Sequence, residues 1–178
     1  MLNKPLHNED PNFTSPGFSE ARLIGASPFP GLRPFSLDDT HLFFGREYQI
    51  DDILLKISKN RFITIMGYSG SGKSSLLYCG LVPILYGGFV TESGPYWNVI
   101  TTRPGKSPIS SLTESIIDFM IKTDRLKPDG IEMQRAIINS LLRSGSDGLI
   151  KVSQNLQRHK AENAFFLVDQ FQKSGDQK

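Results

Sequence analysis

Residues 67–74 read Gly67-Tyr68-Ser69-Gly70-Ser71-Gly72-Lys73-Ser74. This spacing of glycines, a lysine and a hydroxyl suits the binding of phosphate groups. Gly67, Gly70 and Gly72 permit turns that a Cβ would forbid and let main-chain N–H groups face an anion closely. At the start of a helix such N–H groups form a nest for negative oxygens. Lys73 offers a compact positive charge to the β- and γ-phosphates of a nucleoside triphosphate, and the Ser74 hydroxyl is placed to ligate Mg²⁺. The candidate phosphate-loop contacts are therefore Gly67, Ser69, Gly70, Ser71, Gly72, Lys73, Ser74 and Ser75.

A metal held beside phosphates also needs an acid. The run Ala164-Phe165-Phe166-Leu167-Val168-Asp169 is apolar and ends in a carboxylate. A buried parallel strand of this form delivers its last residue to the carboxyl edge of the sheet, where the loop also lies. Asp169 is the expected metal holder, directly or through water, although many strands end in Asp. Arg103 ends another predicted strand and is expected at the same edge. It is placed to meet a phosphate or to pair with an acidic neighbour; a plain surface Arg in a turn is the bland alternative. His41 and the other two histidines lack metal-ligand spacing.

The elements that must position these residues can be read from periodicity. Arg61–Met66 is an apolar, β-branched run predicted as the buried strand before the loop, and Ser74–Cys79 starts a helix after it. That helix continues to about Leu85 through Leu76, Leu77 and Leu81, and Pro83 is expected to kink or end it. Upstream, Ile50, Ile53, Leu54 and Ile57 share one face of a helix over 46–58. Trp97–Thr102 is predicted as a strand ended by Arg103-Pro104-Gly105. Helical spacing returns over 110–122, 129–143 and 148–158. Strands alternating with helices predict an α/β fold with a parallel sheet.

The bounds from composition agree. The chain has 178 residues, 38% hydrophobic and 21% charged, which is enough for one domain with a core. A net charge of +2 gives no argument for nucleic acid or an anionic membrane as partner. Cys79 is the single cysteine, so no internal disulfide forms and a reducing, cytoplasmic setting is expected. The N-terminus has no apolar core of a signal peptide. The longest apolar stretch, Leu76 to Val90, is broken by Gly80, Pro83, Gly87 and Gly88, so no membrane span is expected.

Five segments taken in order resemble one family: Pro28 to Glu47, Arg61 to Ser75, Gly80-Leu81-Val82-Pro83, Trp97 to Gly105, and Leu167 to Phe171. They are similar to the novel STAND NTPases, signal-transduction ATPases common in bacteria. The resemblance implies a P-loop NTPase-type parallel sheet with flanking helices, ATP and Mg²⁺ as ligands, and switching between closed and oligomeric states. It makes Phe44, Gly45 and Arg46 candidates for the edge near the adenine. It also implies a strand between the two motif strands, which this sequence does not supply. The expected organisation is an arm over 1–27, an N-terminal segment and helix over 28–60, a partial core over 61–171, truncated after the metal-binding strand, and a disordered tail over 172–178. A truncated or split NTPase with exposed strand edges is expected to self-associate or to pair with a related full-length NTPase.

The leading functional reading is an ATP/Mg²⁺-binding module of a signalling NTPase. Weak or no hydrolysis is expected, because no Glu follows Asp169 to polarise water; Gln170 and Gln172 stand there instead, and the catalytic residue is left open, with Arg103 as a candidate. Two alternatives stand beside it. One is a small guanylate-like kinase, suggested by Thr101-Thr102-Arg103-Pro104, although residues to hold GMP have no clear match. The other is a non-catalytic regulatory or interaction fragment.

Overall fold

A computed structural model describes residues 37–170. The expected arm over 1–27, the proline-rich segment through Phe35 and the tail over 172–178 lie outside the described residues. Two parallel strands form the centre. Strand β1 is Tyr96–Thr102 and strand β2 is Glu162–Val168, in register from Tyr96↔Glu162 to Thr102↔Val168. Between them the chain runs through helices α4 (Pro108–Lys122), α5 (Ile131–Arg143) and α6 (Gly148–Leu156). Before them come a 3-10 turn (Leu37–Leu42), α1 (Glu47–Lys59) and a helical stretch that begins at the phosphate loop.

Side chains alternate across a strand, so neighbouring residues of the pair feed different layers. Val99 and Leu167 join Ile50, Ile53 and Leu54 of α1 and Leu77, Leu81, Val82 and Leu85 of the helical stretch. Ile100 joins Ile116, Ile117 and Met120 of α4, Ile138 of α5, and Val152 and Leu156 of α6. Helices thus cover both faces of a parallel pair, as burial of parallel strands requires. The predicted faces of α1 and α4 are the ones buried. Over 129–143 the face set by Met133, Ile137 and Leu141 is not, since Met133 is 73% exposed and Ile138 is buried; over 148–158 Val152 and Leu156 are buried while Leu149 is 41% exposed.

The helix after the loop is built in three parts. Helix α2 (Lys73–Ser75) gives way to a π-helical segment, Leu76–Leu81, and then to α3 (Val82–Tyr86). The Val82 N–H donates to the Leu77 carbonyl, five residues back. Pro83 follows at once, in the first turn of α3, where its missing N–H is tolerated. The expected kink at Pro83 is therefore realised as a π turn just before it.

Two expectations need correction. Arg61–Met66 is predicted as a buried strand, but it runs without a strand partner among the described residues. Phe62 and Met66 are 84% and 87% exposed, and only Ile65 packs on the first cluster. Composition suits the segment to a sheet, but a ladder needs a neighbouring backbone, and β1 and β2 pair with each other instead. Nor is β2 buried on both faces. Leu167 is buried, Phe165 and Phe166 are half-buried, and Val168 is 44% exposed; among the described residues β2 has a strand neighbour along one edge.

Candidate nucleotide-binding site

The loop and the acid meet. Ser74 Oγ donates to Asp169 Oδ1 at 2.9 Å across 95 residues of sequence. Two structural facts bring this about. The loop turns directly into α2, which sets Ser74 at a helix start. Asp169 follows the last residue of β2, and its N–H donates to the Thr102 carbonyl at 3.0 Å, which extends the ladder by one bond past the strand. The Asp169 carboxylate is buried, at 5% exposure.

Within the loop, Gly70 and Gly72 have φ of 78° and 83°. No atom lies within 4 Å of a Cβ built on either. Glycine is required there by backbone conformation and not by crowding. Lys73 Nζ donates to the carbonyls of Gly67 and Tyr68 at 2.8 and 2.7 Å, so the ammonium lies folded over the loop. Ser69 and Ser71 are exposed, and Ser75 is buried.

Arg103 reaches the same carboxylate. Its Nη2 lies 3.3 Å from Asp169 Oδ2, and its side chain is 59% exposed while that of Asp169 is 5% exposed. Of the two roles open to Arg103 in the sequence, pairing with an acid is the one seen. Tyr78, on the π segment, stands near enough for its phenol to feel both Asp169 and Arg103. Burial pushes the Tyr78 phenol up, the Asp169 carboxylate raises it further, and the Arg103 charge partly offsets the rise. Sequence reading missed Tyr78, because a tyrosine inside an apolar helix reads as core. The signal was Gly80 and Pro83 within one helical run, which together mark an irregular helix, and π turns recur at functional sites.

The Phe44-Gly45-Arg46 turn stands at the start of α1. Phe44 is 76% exposed, Gly45 has φ of 80°, and the Gly45 N–H donates to Glu47 Oε1 at 2.9 Å. Its route to the loop is indirect: α1 packs on the π segment that follows α2, with Ile50 against Gly80. Among the described residues there is no group of three or more His, Cys, Asp and Glu that could hold a metal ion without help from a ligand. A hard divalent cation does suit the donor set present: a serine hydroxyl and a buried carboxylate, both oxygen, converging to 2.9 Å beside the phosphate loop.

A parallel pair flanked by helices, with a Gly-rich loop opening a helix and an acid at the carboxyl edge, defines the P-loop NTPase class. Within that class the chain belongs to the Novel STAND NTPase 1 family, which matches residues 28–175. Membership carries nucleotide binding with it. Among curated proteins, the chain is similar to the energy-coupling factor transporter ATP-binding protein EcfA1 of Mycoplasma mycoides. Identity is 24% over 137 residues, covering 67% of this chain and 33% of that protein. It is also similar to the spermidine/putrescine import ATP-binding protein PotA of Bacteroides thetaiotaomicron, at 37% identity over 82 residues, covering 43% of this chain and 16% of that protein. The chain thus spans a third or less of the curated relatives it matches. No solved structure matches it. Among the described residues no helix is long and apolar enough to cross a membrane.

Proposed function

We propose that this chain is the ATP- and Mg²⁺-binding part of a STAND-type signalling NTPase, with slow hydrolysis or none of its own. The observation that supports this best is the 2.9 Å hydrogen bond between Ser74 Oγ and Asp169 Oδ1, since it joins two halves of a nucleotide site that lie 95 residues apart in the sequence. In this reading the N–H groups of Gly67–Ser75 receive the phosphates. Lys73 turns from the Gly67 and Tyr68 carbonyls onto the terminal phosphates. Ser74 and Asp169 hold the metal, which when bound neutralises phosphate charge. Phe44, Gly45 and Arg46 form the base-proximal edge through the packing of α1.

Slow hydrolysis follows from what stands next to Asp169. Attack on a phosphate needs a positioned water and a group to take its proton. Asp169 is engaged by Ser74 and Arg103, and the next residue is Gln170, an amide that cannot accept a proton as a carboxylate does. Calorimetry of the purified chain with ATP, GTP and GMP, each with and without Mg²⁺, tests the reading. Magnesium-dependent ATP binding that is lost in Lys73→Ala is the expected result. Equal affinity in wild type and Lys73→Ala, or tight GMP binding, would overturn it.

A further inference from the structure

Both carboxylate oxygens of Asp169 are engaged from different directions. Ser74 donates to Oδ1 and Arg103 to Oδ2. The two partners differ in kind. Ser74 is part of the loop and its helix, whereas Arg103 comes in from the solvent side at the end of β1, more than half exposed. A guanidinium here supplies a positive charge to the very carboxylate that a divalent cation would need. Two cations drawn to one carboxylate repel each other; the burial of Asp169 strengthens that repulsion, and the exposure of Arg103 tempers it. Tyr78, on the π segment, lies near both members of the pair.

We propose that Arg103 is a cation surrogate: its guanidinium occupies the charge position at Asp169 until the divalent metal accompanying a nucleoside triphosphate displaces it, and Tyr78 positions it there. The proposal rests on the reading of Ser74 and Asp169 as the metal-holding pair. It makes Arg103 a brake on metal loading with no part in holding the phosphates. The brake acts on the metal and leaves nucleotide binding without metal unchanged. Because metal and arginine compete for one carboxylate, it raises the metal concentration needed for half-loading.

The test uses the full chain and Mn²⁺ as the metal probe, with free Mn²⁺ followed by electron paramagnetic resonance in the presence of ATP. ATP binding in excess EDTA is measured beside it. Wild type is compared with Arg103→Ala, Arg103→Lys and Tyr78→Phe. Arg103→Ala is expected to tighten Mn²⁺ binding roughly three- to tenfold, the range open to a partly exposed ion pair plus relief of repulsion. Arg103→Lys, which keeps the charge but loses the fork, should fall between. Tyr78→Phe should tighten it by a smaller factor. ATP affinity in EDTA should stay the same in all four. If Arg103→Ala binds Mn²⁺ no better, or if it weakens ATP in EDTA, Arg103 is not a surrogate and the proposal is overturned, while nucleotide binding stands. If wild type fails to bind Mn²⁺–ATP but Arg103→Ala succeeds, the proposal is supported in its strongest form. If neither protein binds ATP under either condition, both this proposal and the function it rests on are wrong. Thermal melts accompany each variant, and Arg103→Lys carries the comparison should Arg103→Ala melt abnormally.

Discussion

The Arg125 guanidinium lies 3.5 Å from Glu162 Oε2, with both side chains only about a tenth exposed. The pair sits at the end of the sheet opposite the phosphate loop, where β2 begins. Asn98 completes it: Arg125 Nη2 donates to Asn98 Oδ1 at 2.9 Å, and Asn98 Nδ2 donates to Glu162 Oε2 at 3.0 Å. Arg125 also donates to the Leu156 carbonyl and lies 5.2 Å from the Phe119 ring centroid. One guanidinium therefore ties α4, α6 and both strands together. Removing one member of a buried pair leaves the other uncompensated. Glu162→Ala is expected to cost about 3–5 kcal/mol. In a domain of this size that lowers the melting temperature by roughly 2–4 °C per kcal/mol. A melt within a degree of wild type would refute the assignment.

The same group gives a pH dependence. Burial pushes the Glu162 carboxyl up, but the Arg158 N–H, the Asn98 amide and the Arg125 charge outweigh it and hold it below the usual carboxylate value. A depressed carboxyl stabilises the fold above its ordinary value and loses that contribution as pH falls through its lowered one. Stability should therefore drop on acidification below about 4.5, the ordinary value. The drop should be shallower in Glu162→Gln, which has no proton to take up. Parallel slopes in the two proteins, from melts between neutral and acid pH, would show that Glu162 is not responsible.

The loop itself yields a binding prediction. Hydrogen bonds to charged groups contribute roughly 1.5–3 kcal/mol, so Lys73→Ala is expected to weaken ATP about ten- to a hundredfold. Ser74→Ala should lose most of the effect of Mg²⁺ on ATP affinity and leave metal-free binding nearly intact. A Ser74→Ala protein that responds to Mg²⁺ as wild type does would remove Ser74 from the metal site.

Turnover is expected below the order of one per second, the low end of ordinary enzyme rates. Phosphate release from the purified chain under saturating ATP and Mg²⁺ measures it. A faster rate would mean that a proton acceptor serves the site after all.

The π segment offers a packing test. A Cβ on Gly80 would stand 2.5 Å from Ile50 Cδ1 and 2.8 Å from Ile50 Cγ1, so glycine lets α1 close onto the segment. Gly80→Ala should destabilise by about 1–3 kcal/mol, as overpacking does. In an Ile50→Val background, which removes Cδ1, the penalty should shrink. Equal penalties in the two backgrounds would place the clash elsewhere.

Much of this was legible in the residues. The loop, the acid at the end of β2, strand β1 and the buried faces of α1 and α4 follow from local spacing, which needs no knowledge of distant neighbours. The rest depends on contacts between remote segments. Arg61–Met66 has the composition of a strand, yet pairing is a property of two backbones, and β1 takes the place beside β2. Nothing in the spacing of Asn98, Arg125 and Glu162 announces a buried triad, since each alone reads as a polar residue near an element end. Tyr78 reads as core until the π turn sets its hydroxyl beside Asp169 and Arg103.

The lead-in to the phosphate loop has a thermodynamic consequence. Among the described residues Phe62 to Met66 has no strand partner, and Ile65 packs on the first core cluster just ahead of Gly67. Any ligand that fixes the loop must also fix this lead-in, and the lost freedom subtracts from its affinity. A backbone that paired with residues 62–66 would supply that ordering beforehand. The two events then share one coupling free energy, and reciprocity runs both ways: strand pairing sharpens the grip on phosphate, and phosphate sharpens the grip on the strand. The loop would thus report whether the sheet beside it is paired.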